Sequence, residues 1–182
     1  MTFDYPGYEL KFIQRERCKD GSAHLYTYIY KFFSPVTCYH YIVRAEYHQG
    51  NVFAIKFYCK KDRKSDFKYS KIVNKGDVGN IMMSCAKVIP ILLKLNMTAS
   101  FGFAASRSID NLNKTIEYYS QTQRYRLYRY MIPLKFGHVT FEHIAYDTIS
   151  CYLLYNKNAP EPRTEIEQMF KNTYGDLYDI VL

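Results

Sequence analysis

Residues 60–95 read KKDRKSDFKYSKIVNKGDVGNIMMSCAKVIPILLKL, and the change within them from a basic loop to an apolar run sets the architecture of the chain. Seven lysines and arginines lie between Lys60 and Lys75. The run that follows is apolar on nearly every side, which predicts a helix over Gly79–Leu95 that is buried against a sheet. Asp77 is placed to cap this helix, and Pro90 is expected to kink it.

The segments on either side of this stretch predict strands and two further helices. Short turns join the early strands, which favours an antiparallel meander. The later segments predict a short central strand, a helix opened by the capping box Ser120-x-x-Gln123, one long strand or two strands broken near Asp147, and a last helix that Thr164 caps and Gly175 ends. The predicted strands are Tyr8–Arg17, His24–Phe33, Val36–Tyr47, Val52–Cys59, Thr98–Ala104 and the region His138–Tyr155, and the later helix is Gln121–Leu134.

These elements predict an α/β (α+β) domain, with helices packed on a mostly antiparallel mixed sheet. Tyrosine and phenylalanine are abundant (20 and 12 residues), which is typical of sheet faces. We expect a single domain over residues 1–158, with 159–182 forming an acidic helical segment packed on it. That segment has five acids and two bases, a net charge of −3, so the remainder of the +8 chain carries +11.

The excess of positive charge favours an anionic partner. The five cysteines are scattered and odd in number, and the N-terminus lacks a signal pattern, so we expect a cytoplasmic protein with free thiols. The apolar run Val88–Leu93 is too short to span a bilayer, so no membrane partner is expected. Cys38-x-His40 lacks a second ligand pair, and no metal site is predicted.

Two features favour a phosphate-bearing ligand. The loop Lys75-Gly76-Asp77-Val78-Gly79-Asn80 precedes the N-terminus of a predicted helix, where unpaired N–H groups and the helix dipole attract anions. Arg124 lies in the first turn of the second predicted helix, in the middle of its apolar face. Either a structural ion pair or a ligand contact explains a charge at that position, and the sequence leaves both open.

The order of strands, glycine-containing loop, helix, central strand and helix resembles the core of the GCN5-related N-acetyltransferase (GNAT) family, over roughly residues 36–155. The resemblance implies an acyl-coenzyme A-dependent N-acyltransferase, possessing a central strand that splays from its neighbour. Acetyl-CoA or another acyl-CoA would be the cofactor, with its pyrophosphate at Gly76, Gly79 and Asn80 and with Lys75 and Arg124 beside them. A tyrosine near the thioester would be Tyr125, Tyr128 or Tyr130, of which Tyr128 and Tyr130 are the catalytic candidates. Val52–Cys59 carries no Glu, so Glu46 is the nearest candidate base, with His48 behind it.

Two non-enzymatic interpretations stand beside this one. The basic loop and the Arg- and Tyr-rich helix match a nucleic-acid-binding surface that contacts phosphates and stacks bases. The residues of that surface would be Lys60, Lys61, Arg63, Lys64, Arg126 and Arg129. The third interpretation is a small accessory protein of a bacterial or phage mobile element that binds a protein partner.

Overall fold

The computed structural model describes residues 4–71, 73, 75–110 and 113–178. Its strands and helices follow the predicted order, with a small additional hairpin. The strands are β1 Lys11–Arg17, β2 His24–Ser34, β3 Tyr39–His48, β4 Val52–Cys59, β5 Ser100–Ala104, β6 Ile109–Asp110, β7 Thr115–Ile116, β8 Phe141–Tyr146 and β9 Cys151–Asn156. The helices are α1 Val78–Ala86, α2 Val88–Leu95, α3 Gln123–Phe136 and α4 Arg163–Tyr178.

Seven of these strands form one sheet, in the order β1-β2-β3-β4-β5-β9-β8. All neighbours in it are antiparallel except β4 and β5, which are parallel. Parallel neighbours require a crossover connection, and α1 and α2 supply it. The predicted fold class, a mostly antiparallel mixed sheet with helices packed on it, is confirmed, as is the break of the last strand region after Tyr146.

The main core lies between the sheet and the helices α1, α2 and α3. Alternate residues of β4 point into it, including Phe53, Ile55 and Phe57, because successive side chains of a strand face opposite sides. Phe101 and Phe103 of β5 continue this core face. The apolar segment 78–95 therefore packs on the strands it connects.

In place of the kink predicted at Pro90, the helix is divided at Lys87, between α1 and α2. Pro90 is the third residue of α2, where the missing N–H costs no intrahelical hydrogen bond. Its ring is incompatible with a continuous helix through the carbonyl four residues earlier, at Ala86. The proline thus ends the preceding helix one turn upstream of itself.

The ends of α3 and α4 also differ from the prediction. Thr122 caps α3 in place of Ser120, and its side chain accepts a hydrogen bond from the Tyr125 N–H at 3.3 Å. Gly137, with a φ of +56°, follows the last residue of α3. Helix α4 begins at Arg163, one residue before Thr164, and continues past Gly175 to Tyr178.

Helix α4 packs on the face of the sheet opposite α1, α2 and α3. Ile166 is completely buried there against Val52 and Leu153, and Phe170 joins the same cluster. The segment from residue 159 to 178 thus contacts the sheet directly, while residues 179–182, which include Asp179 of the acidic tail, lie outside the described residues.

The whole segment Val78–Leu95, unlike the shorter run Val88–Leu93 within it, is long and apolar enough to cross a membrane. Slightly more than half of it (56%) is buried inside the protein. Its role in this structure is that of a core segment packed on the sheet.

Candidate functional site

Strands β4 and β5 are paired over only part of their length. Three residue pairs join them, and the last of these is Ala54 with Gly102. Beyond that pair, β4 continues from Ile55 to Cys59 without β5 beside it. In open sheets with parallel strands, ligands bind in the crevice at the carboxyl ends of such strands.

A cavity of about 220 Å³ lies at this open end. Its walls come from β4, the loop at 71–76, the start of α1 and the start of α3. Most of the lining is apolar or aromatic, and the non-aromatic polar side chains in it are Lys71, Ser108, Gln123 and Arg124. A mostly apolar cavity with a few convergent polar groups is typical of a small-molecule site.

Arg124 is the charged centre of this cavity. Its guanidinium donates one hydrogen bond to Lys71 O at 2.8 Å and another to Tyr69 O, and it lies 5.2 Å from the centroid of the Phe57 ring. No carboxylate of the described residues lies within 4.0 Å of it, so it forms no structural ion pair with them. Burial lowers the pKa of Arg124, because the charged form is poorly solvated there.

Ser108 contributes a buried hydroxyl group to the same cavity. Its side chain is 7% exposed, and its Oγ has no hydrogen-bond partner in the described part of the chain. The backbone around it is well held, since the Ser108 N–H donates to Glu117 Oε2 at 3.0 Å. Buried hydroxyls without partners are rare in proteins, and each calls for an explanation.

The sequence did not point to Ser108, which lies in the polar stretch 107–119. That stretch forms the hairpin of β6 and β7, and Ile109 bridges to Lys71 of the basic loop. The hairpin and the loop together form one wall of the cavity. No local pattern marks this serine, because only the long-range bridge buries it.

Of the predicted phosphate-binding residues, Gly76 and Arg124 line this cavity, and Lys75 precedes Gly76 in the chain. Gly76 lines it, with a φ of +75° and open space where a side chain would begin. The Lys75 Nζ donates to Thr37 O at 3.3 Å and lies 4.6 Å from the Tyr39 ring centroid. The ammonium of Lys61 lies 4.4 Å from the same ring, so two positive charges meet near Cys59 and Gly76.

The other two, Gly79 and Asn80, are covered by the N-terminal segment. A Cβ on Gly79 would collide with the Tyr5 ring, and Asn80 Oδ1 accepts a hydrogen bond from the Gly7 N–H at 3.2 Å. The carboxylate of Asp77 accepts from Tyr8 and Asn80 and places a negative charge at the same helix end. The structure therefore separates Gly79 and Asn80 from Gly76 and Arg124.

Tyr128 and Tyr130 lie on different sides of α3. Tyr128 is 3% exposed and borders, with Arg124, a small cavity of about 10 Å³ in the gap between β4 and β5. Burial raises the pKa of Tyr128, so its hydroxyl stays protonated at neutral pH. Tyr130 is 43% exposed and lies outside the gap, while Tyr125 bonds to Asp147.

Glu46 lies on the α4 face of β3, apart from Tyr128 and Arg124. Its carboxylate is 2.7 Å from the Lys56 Nζ and 3.6 Å from the Arg44 Nε. Burial raises the pKa of Glu46, but the Lys56 ammonium and the Arg44 guanidinium outweigh burial and leave the pKa below its ordinary value. Burial lowers the pKa of the adjacent His48 to about 4, so both groups are weak bases.

The basic side chains of the nucleic-acid interpretation fall into two groups. Lys60, Lys61, Arg63 and Lys64 are exposed in the segment after β4. Arg126 and Arg129 are exposed on α3, and Arg129 pairs with Asp147 at 2.8 Å, whereas Arg124 on the same helix turns into the cavity.

Comparison of the chain with protein-family models, with curated proteins and with solved structures gives no match. Within the described residues, no group of three or more His, Cys, Asp or Glu side chains is arranged to hold a metal ion. All five cysteines are free thiols.

Proposed function

We propose that this chain binds a coenzyme A thioester in the gap between β4 and β5 and is an N-acyltransferase-like enzyme. One observation carries the proposal: a guanidinium without a carboxylate and a buried hydroxyl without a partner face the same cavity at the open end of two parallel strands. Both groups are suited to a phosphate oxygen. The sheet order and the parting of β4 from β5 support the resemblance to the GNAT family.

In this proposal the phosphates lie at Arg124, with Lys61 and Lys75 at the rim, and the adenosine lies outside. The pantetheine arm runs along β4 between Ile55 and Cys59. Because β5 does not pair with that part of β4, its backbone groups are available to an extended ligand, as in the addition of a peptide to a sheet edge. The thioester then reaches Tyr128.

Tyr128 is the proposed proton donor. When an acceptor amine attacks the thioester carbonyl, a C–N bond forms, the C–S bond breaks, and the thiolate takes the Tyr128 proton. The amine releases its extra proton to water, and Tyr128 is reprotonated by solvent. No Asp or Glu is among the described residues that line the two cavities on this side of the sheet, which favours solvent as the base. We place the protein in the cytoplasm, where acyl-CoA is available and thiols stay reduced.

The proposal is tested by thermal unfolding with coenzyme A, pantetheine, ADP and a short single-stranded oligonucleotide. A ligand at a hundred times its Kd stabilises the folded state by about 2.7 kcal/mol. For a chain of this size that energy corresponds to a rise in Tm of about 5–10 °C with coenzyme A. Pantetheine, which has no phosphate, should give a much smaller rise.

Two results would contradict the acyltransferase proposal. A salt-sensitive rise with the oligonucleotide and none with coenzyme A would favour nucleic-acid binding, whose affinity falls steeply as salt is added. No rise with any of the four ligands would leave the non-enzymatic interaction protein as the better interpretation.

Ser108→Ala should change stability and binding in opposite directions. Removing a buried hydroxyl without a partner should raise the free energy of unfolding of the free protein by about 1 kcal/mol or more. Losing one neutral hydrogen bond to the ligand should weaken coenzyme A binding by about five- to tenfold. Chemical denaturation and calorimetric titration measure the two effects.

Thr115→Ala is the matched control, because it removes an exposed hydroxyl from the same hairpin. It should change neither quantity appreciably. If Ser108→Ala lowered the stability of the free protein, the hydroxyl would have a partner in the folded chain and would not be reserved for a ligand.

A further inference from the structure

A second cavity, of about 70 Å³, lies on the other face of the sheet, beneath α4. Small residues, Ala54, Gly102 and Ala104, line it where β4 and β5 part. Phe170 of α4 covers it, and its ring would lie 3.1 Å from a Cβ on Gly102. The absence of a side chain at residue 102 therefore makes room for the Phe170 ring.

The wall of this cavity is almost entirely apolar. Three charged side chains also line it: Lys56 pairs with Glu46, Glu167 accepts a hydrogen bond from Tyr146, and Lys171 lies on α4. The apolar part of the wall is suited to a hydrocarbon group.

This cavity adjoins the one beside Tyr128. Ile55, Lys56 and Ala104 line both, and Phe57 and Arg124 in turn line both the Tyr128 cavity and the large one. Because β4 and β5 stop pairing after Ala54 and Gly102, no ladder of hydrogen bonds closes the route between the two faces. The three cavities thus lie in a row from Arg124 to Phe170, with the small Tyr128 cavity between the two larger ones.

We propose that the cavity beneath α4 binds the hydrocarbon tail of an acyl thioester. The protein would then select acyl groups of about four to six carbons over acetyl. The proposal rests on the proposed function for the anionic end of the ligand. One water-sized group occupies roughly 10–15 Å³ of such space, so the cavity holds about five. An acetyl group would leave most of it empty.

The test is calorimetric titration of the full chain with coenzyme A and its acetyl, butyryl, hexanoyl and dodecanoyl thioesters. Burial of each methylene should tighten binding about fourfold from acetyl to hexanoyl. Dodecanoyl-CoA should bind no more tightly than hexanoyl-CoA, because the cavity is full.

Two variants should change the preferred length of the acyl group in opposite directions. Cys151→Met fills part of the cavity, so the preferred acyl group should shorten while coenzyme A binds as it does to the wild type. Phe170→Ala enlarges the cavity, so the preferred acyl group should lengthen. Cys18→Met, the same change at a cysteine that follows the edge strand β1 and does not line this cavity, is the control for the first variant and should leave the preference unchanged.

The possible failures are distinguishable. If coenzyme A binds but every thioester binds equally in all variants, the acyl site is refuted and the proposed function stands. If neither coenzyme A nor any thioester binds, both proposals are refuted. A shift of the optimum in the same direction for Cys151→Met and Phe170→Ala would also overturn the assignment of this cavity.

Discussion

Arg124→Met should lose most of the affinity for coenzyme A. Removing one partner of a largely desolvated charge pair costs about 2 kcal/mol or more, which corresponds to a loss of about 30-fold or more in Kd. No carboxylate of the described residues lies within 4.0 Å of this guanidinium, and we expect its charge to be available to a phosphate. The wild-type affinity should also fall as salt is added, and less steeply in the variant.

Arg126→Met is the matched control, because it removes the same charge from the exposed side of the same helix. Its coenzyme A affinity should stay within about twofold of the wild type, since an exposed and solvated charge contributes little. Arg124 also donates to the carbonyls of Tyr69 and Lys71, so the melting of each free variant has to be measured beside its binding. Equal losses in both variants would place the anion on the exposed face of α3 and contradict the proposed site.

Lys56→Met should strongly destabilise the fold. The Lys56 and Glu46 side chains are only 17% and 9% exposed, and removing the ammonium leaves a poorly solvated carboxylate without its closest partner. Breaking such a pair from one side costs about 3 kcal/mol, equivalent to a fall in Tm of about 6–12 °C in a chain of this size. Thermal and urea unfolding at pH 7 measure it.

The double variant Lys56→Met with Glu46→Leu should recover much of that loss. A buried ion pair replaced as a whole by apolar side chains is often neutral or stabilising. If the double variant were less stable than Lys56→Met, the Glu46 carboxylate would be stabilised by its other neighbours, such as Arg44, and the Lys56 contact would be secondary.

The pH dependence of these proteins follows from the lowered pKa of Glu46. Its stabilising contribution is fully present above its ordinary pKa of 4.5 and is lost as the pH falls through the lower folded value. The difference in unfolding free energy between the wild type and Lys56→Met should therefore shrink below about pH 4.5. His48, which burial keeps neutral, adds a loss of stability below its ordinary pKa of 6.5 in all three proteins.

Local pattern was sufficient for the strands of the main sheet and for the helices, but not for the β6–β7 hairpin. The strands from His24 to Cys59 either alternate apolar and polar residues or consist of several consecutive apolar residues. Tight turns between consecutive strands favour their antiparallel pairing. The apolar segment 78–95 had to be buried, and its place after β4 put it in the crossover to β5. The helix ends were the least predictable, since Ser120 and Thr122 are both suitable caps and only packing selects one.

The candidate site depended on contacts between residues far apart in the chain. The Gly7 N–H donates a hydrogen bond to Asn80, 73 positions away in the sequence, and the N-terminal segment thereby covers the helix end at which a phosphate is expected. Arg124 donates a hydrogen bond to the carbonyl of Lys71, 53 positions away in the sequence. The hairpin next to Ser108 forms a β-bridge with the same residue, through Ile109. Periodicity and propensity describe neighbours within a few residues, so they place side chains on faces of elements. Which faces then enclose a cavity is settled by the packing of the whole chain, and that packing turned Arg124 inward and left Tyr130 at the surface.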